Sequence, residues 1–155
     1  MNNIVQDADI VVAENISGAN NLVLESRNGS VTINQKIDDH SSVIIRAGKD
    51  VTITQKVDQH SVADITAHGS VTIVQKVDQH SVVRITAETG DIHIGQKVDQ
   101  HSTAFLSAPA GEIFIDQGID GHSIVHYHSL GAHLGSFSGG GTADTNMAAP
   151  VDPAQ

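Results

Sequence analysis

The sequence lacks cysteine and tryptophan, and it has only 3 phenylalanines and 1 tyrosine among its 155 residues. Without cysteine the chain forms neither disulfides nor thiolate metal sites, and its redox compartment stays open. A core with so few aromatic rings must be filled by aliphatic side chains. Here these are mainly Val, Ile and Ala, of which the β-branched Val and Ile favour strands. The composition therefore predicts an all-β protein.

Basic residues and long apolar runs are scarce as well. Only 8 Lys and Arg stand against 18 Asp and Glu, which gives a formal net charge of −10. A chain of this charge should repel phosphate backbones and anionic lipids, so we expect no nucleic-acid partner. No run of residues approaches the roughly 18 apolar positions of a membrane helix, so we also expect no membrane insertion.

The first residues carry no targeting signal that we recognise. Residues 1–7 have neither a basic region nor the apolar region that would follow it in a signal peptide, so no cleavable leader is predicted. We therefore expect a cytoplasmic protein, a leaderless protein exported to the cell exterior, or a mature form.

What the sequence does contain is a repeat. Gln-Lys-Val-Asp-Gln-His-Ser occurs at 55–61, 75–81 and 96–102, with variants at 35–41 and 117–123. Successive copies start 20, 20, 21 and 21 residues apart. A degenerate sixth copy precedes them and keeps apolar residues at positions 10, 12, 16, 22 and 24. A fixed period of this length is typical of a stacked repeat architecture with atypical end units.

Within each unit, apolar and polar residues alternate with a period of two. Val31 and Ile33 share one side before a turn, and Val43, Ile45 and Ala47 share one side after it. Such alternation indicates half-buried strands. Glycines at 48, 69, 90 and 111 mark a second turn, because glycine tolerates positive φ. Each unit is therefore predicted to form strand, turn, strand and turn.

These features predict an all-β fold: a single-stranded β-solenoid, or β-helix, of about five or six coils with 20–21 residues and two strands per coil. One such unit cannot bury its apolar face alone, so each coil must lie about 4.8 Å above the last in parallel register. A hairpin-based sandwich or barrel is the alternative. We divide the chain into an N-terminal degenerate coil or cap at 1–29, solenoid repeats at 30–128, a possible C-terminal cap at 129–137 and a flexible tail at 138–155.

Stacking would align the repeated polar residues in ladder columns. The glutamines share parity with the inner Val and Ile, so we expect buried amides that bond up and down the stack. The lysines and aspartates should form an outer, mutually neutralising stripe, or a docking stripe for a charged partner. These columns are Gln35, Gln55, Gln75, Gln96 and Gln117; Lys36, Lys56, Lys76 and Lys97; and Asp38, Asp58, Asp78, Asp99 and Asp120.

The histidines allow two interpretations. One is a turn ladder that is hydrogen-bonded between rungs. The other is a site for a divalent transition metal, held by two neighbouring imidazoles with Asp58 or Asp78 as a further ligand; no other cofactor is predicted. In either case protonation near pH 6 should loosen the column. The candidate metal ligands are His40, His60, His80, His101, His122, His126 and His128, of which the last two form an outward His-x-His.

A serine follows the histidine in every copy, at 41, 61, 81, 102 and 123. A Ser-His-Asp triad needs one activated serine in a unique pocket with an oxyanion hole. Five equal copies on a regular wall provide no such pocket, and the sequence has no phosphate-binding loop or nucleophile elbow. We therefore predict that the protein is not an enzyme.

The unit Ser-Val-Thr-Ile-Asn-Gln at 30–35, with Ser-Ser-Val-Ile-Ile at 41–45 after the turn, resembles the curlin repeat of bacterial amyloid fibres. The resemblance covers residues 9–128 and implies stacked, self-templating coils with glutamine ladders. With the identical units and open ends, it favours a structural or adhesive protein that assembles with itself into a fibre or oligomer. The alternative is a binding module that presents its Lys, Asp and His columns to a metal ion, a glycan or a protein.

Overall fold

The computed structural model describes residues 1–147, and these form strands and turns. No helix among them is long and apolar enough to cross a membrane. The strands, in chain order, are β1 (Ile4–Gln6), β2 (Ile10–Val12), β3 (Ile16–Ser17), β4 (Leu22–Ser26), β5 (Val31–Ile33), β6 (Ile37–Asp38), β7 (Ser42–Ala47), β8 (Val51–Ile53), β9 (Val62–Ala67), β10 (Val71–Ile73), β11 (Val82–Ala87), β12 (Ile92–Ile94), β13 (Lys97–Val98), β14 (Thr103–Ile115), β15 (Gly118–Ile119), β16 (Ile124–His133) and β17 (Thr142–Asp144).

Every strand pairs in parallel with the equivalent strand one coil away, so the predicted β-solenoid is confirmed. The stack has about seven turns rather than five or six. The difference arises at the ends. β1 pairs with β4 ahead of the degenerate coil, and β17 pairs with β16 beyond the last repeat. Neither segment carries the repeat motif, which is why the sequence pattern did not count them.

Each coil has the two predicted strands, and a third, narrow wall that the sequence did not predict lies between them. A long wall contains β4, β7, β9 and β11, and a short wall contains β5, β8, β10 and β12. Between them lies a narrow wall of one or two residues per coil, in which position 37 bridges to 57, 57 to 77 and 77 to 98. A segment this short shows no alternation, so periodicity alone could not reveal it. β14 is long enough to run from the long wall into the short wall.

The core consists of aliphatic columns inside the three walls. Ile33, Ile53 and Ile73 are directly paired rung to rung and are fully buried. The same column continues through Ile94 and Ile115. Each buried Ile or Val contributes roughly 1.5–3 kcal/mol relative to an exposed one. The vertical alignment of like side chains that the repeat predicts is therefore present.

The C-terminal segments also join the stack. β16 continues to His133 beside β14, and Phe137 bridges to Ile119 on the narrow wall. Residues 142–144 form β17, so this part of the predicted flexible tail has regular structure. The part of that prediction at 148–155 lies outside the described residues.

Candidate functional site

The repeated motif forms one corner of each coil, between the narrow and the long wall. We call these five corners the histidine corners; they comprise residues 38–41, 58–61, 78–81, 99–102 and 120–123. Two consecutive residues in each have left-handed backbone, as at Gln59 (φ 55°) and His60 (φ 61°). This conformation is costly for residues other than glycine. It is held by the rung above, because the His60 N–H donates to the carbonyl of Gln79 at 2.8 Å.

The five corner histidines stack ring on ring along the outside of the solenoid. Neighbouring ring centroids are 5.0, 5.0, 5.2 and 5.2 Å apart, and the rings are tilted from each other by at most 22°. The column ends beneath the C-terminal segment, where a side chain at Gly140 would collide with the His122 ring. The turn ladder is therefore a column of stacked imidazole rings. The hydrogen bonds between its rungs are made by the backbone of the histidines and not by their side chains.

The corner aspartates do not join the histidines. Asp58 is 1% exposed, and its Oδ2 lies 3.2 Å from Nζ of Lys56. The same pair forms between Lys36 and Asp38, and it recurs in the third and fourth copies. The expected solvated stripe is thus wrong for these aspartates, because the lysine two residues earlier lies over them and the corner encloses them. The idea that Asp58 or Asp78 completes a metal site with the histidines is likewise not supported by the geometry.

Metal-ligand geometry is otherwise sparse in the part of the chain that the structure describes. Residues 1–147 contain no group of three or more His, Cys, Asp or Glu side chains placed to hold a metal ion. The two-imidazole hypothesis for the histidine column stays a prediction.

The serine column links successive coils by hydrogen bonds. Ser61 and Ser81 are fully buried, and each Oγ accepts the backbone N–H of the serine in the preceding coil at 3.2 Å. The pattern continues through Ser102 and Ser123. The hydroxyls therefore satisfy N–H groups at a corner where the regular ladder is interrupted. In the sequence, the signal for this role is the serine that directly follows the histidine in all five copies.

The glutamines are half-buried or exposed, which corrects the prediction of buried amides. They lie at the corner between the short and narrow walls, where the chain direction changes and the inward parity of Ile33 no longer applies. Gln55 still donates from Nε2 to Oε1 of Gln35 at 3.0 Å. The backbone of this column is bonded as well, with the Gln96 N–H donating to the carbonyl of Gln75 at 2.9 Å.

A second set of histidines lies at the C-terminal end of the solenoid. His126 and His128 lie on the outer side of β16, whereas Val125 is buried, as the alternation predicts. His126 Nδ1 is 2.6 Å from Oδ1 of Asp144, and its ring stacks on Phe105 at 5.0 Å. Since Asp144 belongs to the segment expected to be flexible, this contact could not be foreseen.

The short wall carries a similar cluster. Nε2 of His133 lies 2.7 Å from Oε1 of Glu112, and its ring stacks on Phe114 at 4.8 Å. His93, one coil below Phe114, lies 2.8 Å from Asp116. Histidine–carboxylate pairs therefore concentrate in the last coils.

Three groups in this region have displaced pKa values. Hydrogen bonds from His126 and from the Asn146 N–H hold the pKa of Asp144 below its usual value. The pKa of Asp120 is lowered by the Gly121 N–H and then by Lys97. The pKa of Lys97 is raised by its hydrogen bond to Asp120 and by the charge of Asp99. Each shift favours the charged form, so these contacts support the last coil at neutral pH.

In comparisons with known proteins, no family model, curated protein or solved structure matches this chain. The first four histidine corners share a buried carboxylate, a buried hydroxyl and an exposed ring, whereas the carboxylate of the fifth, Asp120, is half-buried. One shallow groove, of about 310 Å³, is lined on the long-wall side by Arg27, Arg46, His68 and Glu88 among others. It lies away from the corners.

Proposed function

We propose that this chain is a non-enzymatic structural repeat protein, structural or adhesive in role, that assembles with itself into a fibre or oligomer through the ends of its solenoid. The observation that supports this proposal most directly is the distribution of exposed apolar side chains along the solenoid. Among the described residues, the large exposed ones in the end coils are Met1, Val5 and Val11 at one end and Ile124, Leu130 and Phe137 at the other. Between the ends only Val62 and Val74 belong to this group. Six of these eight exposed apolar side chains therefore lie in the end coils.

The backbone at the ends supports the same proposal. Among the described residues, β1 and β2 have a strand partner on one side only, and so does β17. Unpaired N–H and C=O groups along such edges are a template for another chain. Proline, which would block pairing, is absent from the first coil. The end coils therefore combine unpaired backbone with exposed Val5 and Val11.

A matched pair of lysine variants tests the proposal. Val11→Lys places a charge on the outer side of the edge strand β2, where Val11 is 64% exposed. Val74→Lys places the same charge further along the short wall, where the side chain is 46% exposed. We expect negative-stain images and light scattering to show assemblies for wild type and Val74→Lys, and single particles for Val11→Lys.

Wild-type protein that stays a compact, monodisperse monomer at high concentration, over a range of pH and salt, would overturn the proposal. Equal loss of assembly in both variants would place the contact on the wall instead of at the end.

A further inference from the structure

We infer that the C-terminal end of the solenoid carries a site for one divalent transition-metal ion, such as Zn²⁺ or Cu²⁺, bound by His126 and His128 and oriented by Asp144. This site is independent of the proposed self-assembly. Three observations support it: the shared outer face of the two histidines, the contacts that hold His126, and the absence of such contacts at His128.

The two histidines lie on the same face of one strand. In β16, Val125 is buried in the core, and the alternation places His126 and His128 on the outside. Side chains two positions apart on a strand point the same way, and their backbones are separated by about 6.6 Å. Because ring nitrogens lie well beyond the backbone, two imidazoles at this spacing can converge on one ion, at bond lengths of about 2.0–2.1 Å.

His126 is held in the tautomer that can bind a metal through Nε2. Its Nδ1 lies 2.6 Å from Oδ1 of Asp144, which also accepts the Asn146 N–H at 2.9 Å. An aspartate is ionised at neutral pH and then only accepts hydrogen bonds. In the neutral imidazole the proton therefore lies on Nδ1 and the free lone pair on Nε2. Metal-binding histidines are commonly oriented by a carboxylate in this way.

Nε2 of His126 is available to a ligand. Among the described residues it has no hydrogen-bond partner. Within residues 1–147, the enclosed side-chain atoms that lack a partner are carboxylate oxygens of Asp38, Asp58 and Asp78, so Nε2 is open to solvent. The ring is also fixed, because it stacks on Phe105 at 5.0 Å with a tilt of 15°. The structure therefore presents a preoriented nitrogen donor.

His128 supplies the second donor. Its side chain is exposed and makes no hydrogen bond, ion pair or ring contact with the described residues. The ring can therefore rotate toward an ion at the cost of side-chain entropy alone. Two protein ligands leave the remaining positions to water, which agrees with the absence of any group of three ligands from residues 1–147. Imidazole ligands favour Zn²⁺, Ni²⁺ and Cu²⁺ over Mg²⁺.

The other histidines lack this combination. His68, His93 and His133 also pair with carboxylates, at 3.2, 2.8 and 2.7 Å, but no histidine lies two residues away from any of them. In the corner column, the stacked ring centroids are 5.0–5.2 Å apart. Two nitrogens on one ion lie at most about 4.2 Å apart, so the corner histidines could share an ion only if their rings rotated.

Isothermal titration calorimetry of the full chain with Zn²⁺ at neutral pH tests the site, with Mg²⁺ as the control ion. We expect wild-type protein to bind one equivalent of Zn²⁺ at this site and no Mg²⁺. His128→Gln removes one of the two ligands, and Asp144→Asn removes the carboxylate that orients the other. Each should weaken the binding of Zn²⁺ at least about tenfold.

Matched controls change the neighbouring histidine–carboxylate pair in the same way. His133→Gln and Glu112→Gln should both keep the wild-type affinity for Zn²⁺, because this pair has no second histidine beside it. Circular dichroism checks that every variant is folded.

A second measurement reads the orientation of His126 without any metal. Nitrogen NMR of the metal-free protein at neutral pH should show Nδ1 of His126 protonated and Nε2 unprotonated. The opposite tautomer would overturn the role of Asp144, and with it the site.

The calorimetry has clear contrary outcomes as well. Zn²⁺ binding that His128→Gln leaves unchanged, or that His133→Gln weakens equally, would overturn the site, and so would wild-type protein that binds no Zn²⁺ at millimolar concentration. Assembly through the ends of the solenoid is measured separately by the lysine variants, so either proposal can fail without the other.

Discussion

Replacing Ile73 by alanine will lower the free energy of unfolding by about 3–4 kcal/mol. The side chain is fully buried in the middle of the stack, between Ile53 and Ile94 in the neighbouring coils. Walls that are bonded above and below cannot collapse into the space left by the lost atoms, so the cost should lie in the upper part of the usual range. Urea denaturation followed by circular dichroism measures it.

Thr72→Ala is the matched control, because Thr72 lies on the outer side of the same strand and is half-buried. We expect it to cost within about 0.5–1 kcal/mol. Val12→Ala, in the first coil, should lower the free energy of unfolding by less than Ile73→Ala does, because only one neighbouring coil packs against Val12. Equal losses for Ile73→Ala and Thr72→Ala would mean that the inward column is not the core.

The second large effect concerns the buried ion pairs. Lys56→Met should destabilise the protein by about 2–3 kcal/mol, because it leaves the carboxylate of Asp58 enclosed without its cation. The Oδ1 atom of Asp58 has no hydrogen-bond partner, so the charge depends on the lysine contact at Oδ2. The lysine side chain is 27% exposed, which keeps the expected loss below that for a fully buried pair.

The double variant Lys56→Met with Asp58→Asn should recover most of this stability, because it also removes the buried, unpaired charge of Asp58. Lys49→Met, at an exposed lysine on the second turn, should change the free energy of unfolding by no more than about 0.5 kcal/mol. If the double variant is as unstable as Lys56→Met, the loss comes from lysine packing and the electrostatic explanation is wrong.

The repeat allowed the stacking of the coils to be predicted. The narrow wall and the number of coils depend on local geometry that the repeat does not show. Identical spacing of Val31, Val51 and Val71 requires coil-upon-coil pairing, and these residues are paired. The narrow wall was missed because two residues such as Ile37 and Asp38 are too few to show a period. The coil count was low because β1 and β17 join the stack without the motif.

For the candidate site, the sequence identified the columns but not their burial. Parity places Asp58 outside and Gln55 inside, and both assignments fail where the chain turns a corner. Only the fold shows that lysine covers the aspartate. Contacts such as His126 with Asp144 depend on how the last coil folds back, which no local pattern encodes. The vertical stacking of like residues, in contrast, followed directly from the period.

Spin-label distances along one outer column test this stacking most directly, and the absence of native cysteine allows labels at chosen pairs. Positions 32, 93, 114 and 133 lie in one column on the outside of the short wall. Position 93 is three coils from position 32, and positions 114 and 133 are four and five coils from it. Pairs 32–93, 32–114 and 32–133 should give separations of about 14, 19 and 24 Å, rising by about 4.8 Å per coil. Distances that fail to rise evenly with coil number would contradict the solenoid and the function inferred from it.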